Sequence, residues 1–188
     1  AFTLGNYTLA KHEDGTGNHV HFILDNEPYV PWYDATKPYV LKDVPEGTHV
    51  LRAFASRPWH ESWKNPEAFG AVVFHVQAKS SGTPAFDPAA PLLTYSRPKG
   101  TYKGADIEKV LLDFWVGNCR LGVGEYQVRY TVDGGAPQLL SDWRPVWLAG
   151  LLLATIPATS LARQPSGAGG PAAAMDRTGG PALAVEDT

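Results

Sequence analysis

Apolar and polar residues alternate in several short segments of the chain, a pattern typical of β-strands. In "NHVHFILDN" every second residue falls on the same side of the strand, with one face made by Val20, Phe22 and Leu24 and the other by His19, His21 and Ile23. The segments "GTHVLRAF", "GAVVFHV", "DFWVGN" and "EYQVRYTVDGG" alternate in the same way. Turn-forming residues follow several of them, and outside the C-terminal tail only "GADIEKVLLDF" has helical character. The pattern therefore predicts an all-β protein of short strands at the spacing of a sandwich.

Three pairs of similar segments occur in the same order in the two halves of the chain. The pairs are "FTLGNYTL" (2–9) with "FWVGNCRL" (114–121), "VHFILDN" (20–26) with "VRYTVDG" (128–134), and "KPYVLKDV" (37–44) with "RPVWLAGL" (144–151). Three pairs in order indicate a duplication. We therefore predict two tandem β-sandwich modules, over 1–76 and 92–151, joined by a linker at 77–91 that is rich in Pro, Ser and Ala.

The tail at 152–188 differs from the rest of the chain, because it contains no aromatic residue and is dominated by Ala, Gly and Pro. Codons chosen for 153–157 and read in another frame permit Gly-Asp-His-Thr, which aligns with part of "DVPEGTHV" at 43–50. Our hypothesis is a frameshift near Leu151 that leaves the second module incomplete. We expect the tail to be disordered. The apolar run at 146–162 is shorter than the about 20 residues of a membrane-spanning helix, so we expect no membrane span.

Composition excludes several classes of protein. The formal net charge is −3, and no basic run is interleaved with aromatic residues, so we expect no nucleic-acid partner. Cys119 is the only cysteine, which rules out an intrachain disulfide. The sequence holds no GxSxG, phosphate-loop or HExxH motif, and we predict that the protein is not an enzyme and has no catalytic residues.

Histidines supply the first candidate site. All six lie in or near the first module, and His19 and His21 form an HxH pair whose side chains share one strand face about 7 Å apart. His60 and Glu61 lie in the predicted loop "SRPWHESW". Together these four residues offer three imidazole nitrogens and a carboxylate, a ligand set that suits Zn or Cu. The candidate cofactor is therefore one of these two metals.

The HxH pair also has a simpler interpretation. The corresponding positions of the second module hold Gln127 and Arg129, so this face carries polar residues whether or not a metal is present. This favours two histidines on a solvated strand face. His49 follows the turn Pro45-Glu46-Gly47, and we expect it to brace that turn.

Aromatic residues supply a second candidate site. Trp32 and Tyr33 lie in "YVPWYDATKPY", and Trp59 and Trp63 flank His60. Loops rich in Trp and Tyr form stacking platforms for carbohydrates or apolar ligands. The alternative is that these side chains close the open ends of the sandwich.

The segment "LKDVPEGTHVLRAF" resembles the turn-strand signature of PEGA-type and related immunoglobulin-like domains of bacterial envelope proteins. The shared part is an apolar residue and a turn followed by Gly-x-His-x-Leu. A longer stretch, which includes "HVHFILDNEPY" and "FASRPWHES", is similar to uncharacterised bacterial extracytoplasmic domains. The resemblance implies immunoglobulin-like β-sandwiches in the periplasm, on a lipoprotein or at the cell surface. It also implies a binding or structural role toward a protein or glycan whose identity the sequence does not give.

Overall fold

The computed structural model describes residues 2–79, 87, 89–132, 135–151, 155–156 and 183–186. Within these residues the chain forms antiparallel strands and short 3-10 helices, which confirms the predicted all-β class. The fold divides into two compact units, unit 1 (1–88) and unit 2 (89–188). Most of the predicted linker lies outside the described residues. None of the helices in the described part is long and apolar enough to cross a membrane.

Unit 1 contains one four-stranded antiparallel sheet. Its strands, in the spatial order β2-β1-β3-β4, are β1 (His19–Leu24), β2 (Val30–Trp32), β3 (Gly47–Ser56) and β4 (Phe69–Val76). A short 3-10 helix, Pro66–Ala68, precedes β4. Strand β1 ends at a tight turn in which the Glu27 N–H donates to the Leu24 carbonyl at 2.9 Å. Asp25 adopts a left-handed conformation there, with φ of 53°, as expected for a turn-forming Asp.

The alternation in β1 is real, but its histidine face is the more buried one. His19 and His21 are fully buried and Ile23 is 1% exposed, whereas Phe22 and Leu24 on the other face are partly buried. The interpretation of the HxH pair as a solvated face is therefore wrong. Alternation defines two faces without saying which one the rest of the chain covers.

Unit 2 is built from sheets with fewer strands than the sheet of unit 1, and its longest strand is fully buried. Its strands are β5 (Leu92–Arg97), β6 (Gly100–Thr101), β7 (Val110–Gly117), β8 (Gln127–Tyr130), β9 (Gln138–Leu140), β10 (Val146–Leu148), β11 (Thr155–Ile156) and β12 (Leu183–Glu186). They pair antiparallel in the orders β10-β7-β5, β11-β6 and β12-β8-β9. The helical character expected in "GADIEKVLLDF" is limited to the 3-10 helix Gly104–Glu108. Residues 110–114 of this segment belong to β7, which is buried along its whole length.

The proposed sequence repeat is only partly matched by structure. The second pair of segments forms a strand in both units, β1 and β8. In the first pair, Phe2–Leu9 is not a strand whereas Phe114–Gly117 is part of β7. The strand orders of the two units also differ. Tandem immunoglobulin-like sandwiches therefore remain a prediction.

Two short segments of the tail lie within the described residues. Thr155–Ile156 pairs with β6 and Leu183–Glu186 pairs with β8, both as antiparallel strands. The rest of 152–188 lies outside the described residues.

Candidate metal centre: a buried cluster of three histidines

Strand β1 places His19 and His21 side by side on the buried face of the unit 1 sheet. Their neighbours in β3 are Ser56 and Phe54, respectively. The Tyr7 hydroxyl donates to the backbone carbonyls of His19 at 3.1 Å and of Ser56 at 2.5 Å. Burial raises the pKa of Tyr7, so the phenol stays protonated and keeps donating. The paired ends of β1 and β3 are thereby held together at the position of the first histidine.

His60 reaches the same place from the loop that follows β3. The loop turns back on itself, because the His60 N–H donates to the Arg57 carbonyl at 2.9 Å and the Arg57 N–H donates to the Glu61 carbonyl at 2.8 Å. His60 has a left-handed backbone with φ of 68°, which is uncommon for a residue other than glycine. An antiparallel bridge between Ser56 and Ser62 fixes the returning chain against the end of β3. Sheet and loop together therefore present three imidazole rings to one another.

The three ring nitrogens form a small triangle. His19 Nε2 lies 2.8 Å from His21 Nε2 and 2.9 Å from His60 Nδ1, and the third side, from His21 Nε2 to His60 Nδ1, is 3.3 Å. His19 and His21 are fully buried and His60 is partly buried. Among the described residues, this is the group of His, Cys, Asp and Glu side chains whose ligand atoms converge closely enough to hold a metal ion.

The contact that His19 makes through Nδ1 fixes the tautomer of its ring. His19 Nδ1 lies 2.7 Å from the Gly17 carbonyl oxygen, which can only accept, so Nδ1 carries a proton and donates. In the neutral ring, Nε2 then carries a single lone pair directed into the triangle. One lone pair accepts one well-directed hydrogen bond, yet two ring nitrogens lie within 2.9 Å of it. A cation bound by all three nitrogens would relieve this crowding.

Gly17 is the residue that orients His19, and its position requires glycine. Its φ is 136°, and a Cβ placed on it would lie 2.0 Å from the Ala10 carbonyl oxygen. The backbone therefore passes too close to Ala10 for any other residue. A carbonyl that accepts from the second nitrogen of a histidine is the usual way in which a metal-ligating ring is fixed.

Aromatic rings line the cluster. The ring of Tyr29 stacks on that of His21, with centroids 3.6 Å apart and an interplanar angle of 9°. The Tyr29 hydroxyl lies 3.4 Å from His60 Nδ1. Phe54 meets His21 edge-on with centroids 5.0 Å apart, and Tyr33 lies beside His19 at 4.8 Å. These contacts limit ring rotation, so the nitrogens are held in place before any ligand arrives.

Glu61, the fourth ligand predicted from the sequence, does not join the three histidines. Its Oε2 accepts from the Trp59 indole N–H at 2.8 Å, and its Oε1 lies 3.4 Å from Arg57 Nε. The Arg57 guanidinium in turn lies 3.9 Å from the ring centroid of Trp63. These contacts link both sides of the loop around His60, so Glu61 acts by supporting the loop.

The four aromatic residues proposed as a ligand platform have different surroundings. Trp32 packs against Tyr39 with centroids 5.1 Å apart, whereas Tyr33 belongs to the lining of the histidine cluster. Trp59 and Trp63 contact the Arg57 guanidinium. The contacts found for these side chains do not assemble them into one stacking surface.

His49 braces the turn before β3, as its position in the sequence predicted. Its Nδ1 lies 2.9 Å from Asp25 Oδ2 and its Nε2 lies 2.9 Å from the Pro45 carbonyl oxygen. Both neighbours are acceptors, so the protonated ring, with two N–H donors, satisfies both of them. The hydrogen bond to Asp25 raises the pKa of His49 and outweighs the opposing effect of burial. His49 is therefore a structural residue.

Fold and site together define an antiparallel all-β protein with a buried three-histidine cluster in its first unit. Comparisons with known protein families, with curated proteins and with solved structures find no match.

Proposed function

We propose that unit 1 is a transition-metal-binding module that holds Zn²⁺ or Cu²⁺ through His19 Nε2, His21 Nε2 and His60 Nδ1. The observation that carries this proposal is the convergence of three imidazole nitrogens, separated by 2.8, 2.9 and 3.3 Å, in a buried position. Imidazole is a preferred ligand of both metals. Neutral histidines bind a metal through a lone pair, and the tautomer of His19 directs its lone pair into the cluster.

The size of the triangle suits such an ion. Its corners lie about 1.7 Å from its centre, slightly less than the Zn–N distance of about 2.0–2.1 Å. An ion displaced by about 1 Å from the plane of the nitrogens therefore reaches all three at normal bond length. Only small side-chain adjustments are needed, and the bond to the Gly17 carbonyl can remain in place.

We further propose that this metal module is a non-enzymatic binding or structural part of a bacterial envelope protein, located outside the cytoplasm. This proposal is supported by the resemblance of "LKDVPEGTHVLRAF" to PEGA-type domains and by the absence of familiar catalytic motifs from the sequence. Its partner there would be a protein or a glycan.

Metal binding can be tested on untagged protein by elemental analysis and by calorimetric titration with Zn²⁺ and Cu²⁺. We expect one ion per chain. Substitution of a ligand, His21→Ala or His60→Ala, should weaken binding by at least about 100-fold, more than loss of an outer-shell group usually does. His75→Ala is the matched control, because His75 is an exposed strand histidine whose Nδ1 lies 3.0 Å from the Thr48 hydroxyl.

His60 lies in a loop and is only partly buried, so His60→Ala should retain the sheet even if His21→Ala does not. Circular dichroism of each variant separates loss of a ligand from loss of fold. The proposal is wrong if the wild-type protein binds neither metal, or if His75→Ala weakens binding as much as folded His60→Ala does.

A further inference from the structure

We infer that the metal in this site keeps one coordination position open, and that this position takes a water molecule or a small anion hydrogen-bonded by the Tyr29 hydroxyl. The inference rests on the proposed metal site and adds what that site binds. It distinguishes a centre that exchanges ligands from one that only holds the fold together.

The cluster supplies three protein ligands to the proposed ion. Within the described residues the converging group contains three histidines and no carboxylate or thiolate. Glu61 is held by Trp59 and Arg57 instead. Structural zinc sites are closed by four protein ligands, whereas sites that bind or activate an external ligand have three and an open position.

The three histidine ligands differ in their exposure to solvent. His19 and His21 are fully buried and His60 is partly buried, so His60 is the ligand with surface open to solvent. We expect an external ligand to reach the bound ion past His60.

Tyr29 lies beside both His21 and His60. Its ring stacks on His21 and its hydroxyl lies 3.4 Å from His60 Nδ1, so the phenol oxygen lies at the edge of the nitrogen triangle. Tyr29 is 4% exposed, and its stacked ring cannot swing away without losing that contact. A phenol is both a donor and an acceptor, and there it can donate to an oxygen or nitrogen atom bound to the metal. Tyr29 thus acts as a binding residue for the external ligand.

The experiment uses Co²⁺, whose visible absorption reports its coordination, with azide as the small anion. We expect saturable changes in the spectrum of the Co²⁺-loaded protein as azide is added. Tyr29→Phe keeps the ring stacked on His21 and removes only the hydroxyl. It should weaken azide binding by about three- to tenfold, as expected for the loss of one hydrogen bond, and leave Co²⁺ affinity within about twofold.

Tyr39→Phe is the matched control. Tyr39 stacks on Phe22, on the face of β1 opposite the histidines, with centroids 4.8 Å apart. Removal of its hydroxyl should change neither the Co²⁺ spectrum nor the affinity for azide. Circular dichroism confirms that both variants are folded.

The outcomes separate this inference from the metal site on which it rests. If the protein takes up no Co²⁺, Zn²⁺ or Cu²⁺, the proposed function fails. If Co²⁺ binds but azide leaves its spectrum unchanged, the site is closed and only the inference is overturned. The role of Tyr29 is overturned if Tyr29→Phe binds azide as well as Tyr39→Phe does, or if it loses Co²⁺, which would make the phenol a protein ligand.

Discussion

The interiors of the two units differ in the kind of polar side chain that they bury. Unit 2 has a continuous apolar core that consists of Leu93, Val110, Leu112, Phe114, Val116, Val128, Leu140 and Leu148. The buried face of the unit 1 sheet combines apolar side chains with polar ones, namely His19, His21, Arg52 and Ser56. Unit 2 also buries polar side chains, namely Thr94, Ser96 and Asp113. What distinguishes unit 1 is that its buried polar groups include two imidazole rings whose nitrogens converge with that of His60.

Strands β1 and β8, which the proposed sequence repeat aligns, differ in the burial of their polar side chains. In the alignment of β1 with β8, Val20 corresponds to Val128, and both valines are buried. His21 corresponds to Arg129, which is only partly buried, whereas His21 is fully buried. The valine position therefore follows the pattern of an ordinary strand, and the histidine position departs from it. The proposed metal site would account for that departure, because the ligands of a buried ion must themselves be buried.

The largest effect should come from truncating the apolar core. Phe114→Ala removes a fully buried ring from unit 2 and should lower the free energy of unfolding by about 3–5 kcal/mol. Urea unfolding followed by circular dichroism measures this. At low urea the variant should bind Zn²⁺ as the wild type does, because the three ligands belong to unit 1. A large loss of Zn²⁺ affinity in folded Phe114→Ala would show that the two interiors do not act separately.

The next effect is stabilisation of unit 1 by metal. With free Zn²⁺ at about 100 times its dissociation constant, the folded form should gain about 2.7 kcal/mol. Hydrogen exchange read by mass spectrometry can locate the gain. Peptides that cover β1 and β3 should become more protected on addition of Zn²⁺, whereas peptides from β7 should change little. Equal protection of β7 would contradict the distinction between the units, and His60→Ala, which lacks a ligand, should show no gain.

The sequence was sufficient to predict several parts of this structure. Period-two alternation predicted the strands around His21 and Val50, and Asp25 and Gly47 marked the turns beside them. The i, i+2 spacing predicted that His19 and His21 share a face, and both do lie in the cluster with His60. These features are local, because they depend on backbone geometry over a few neighbouring residues.

The rest depends on contacts between distant parts of the chain. Glu61 is adjacent to His60 and has a suitable carboxylate, but Arg57 and Trp59 hold it in the supporting contacts of the loop. No sequence pattern marked Tyr29 as a site residue. Its place beside the cluster depends on the turn after β1, which brings its ring onto that of His21. Gly17 lay in "GTGN", which offered a glycine but not the carbonyl contact that orients His19. The contacts of the histidine face likewise come from other parts of the chain, namely Tyr33, Phe54 and His60.

The smallest effect concerns a histidine that takes no part in the cluster. The folded pKa of His49 is raised above its ordinary value of 6.5, chiefly by the hydrogen bond to Asp25. A raised pKa means that the protonated form is stabilised by folding. The contribution is therefore fully present below the ordinary pKa and is lost as the pH rises through the raised one. It should be modest, because the Asp25 side chain is 44% exposed and solvent screens the pair.

Asp25→Asn tests this contribution with little change in shape. The amide oxygen can still accept from the Val50 N–H, as Asp25 Oδ1 does at 2.9 Å, and Asn tolerates the left-handed backbone. The stability difference between wild type and variant should shrink as the pH is raised from about 6 to about 8. Measuring both proteins under the same metal conditions cancels the shared pH dependence of the three-histidine cluster. Asp34→Asn is the control, because Asp34 accepts hydrogen bonds from Thr36 rather than from a histidine and should show no such change. A pH-independent difference for Asp25→Asn would instead mean that Asp25 does not raise the pKa of His49.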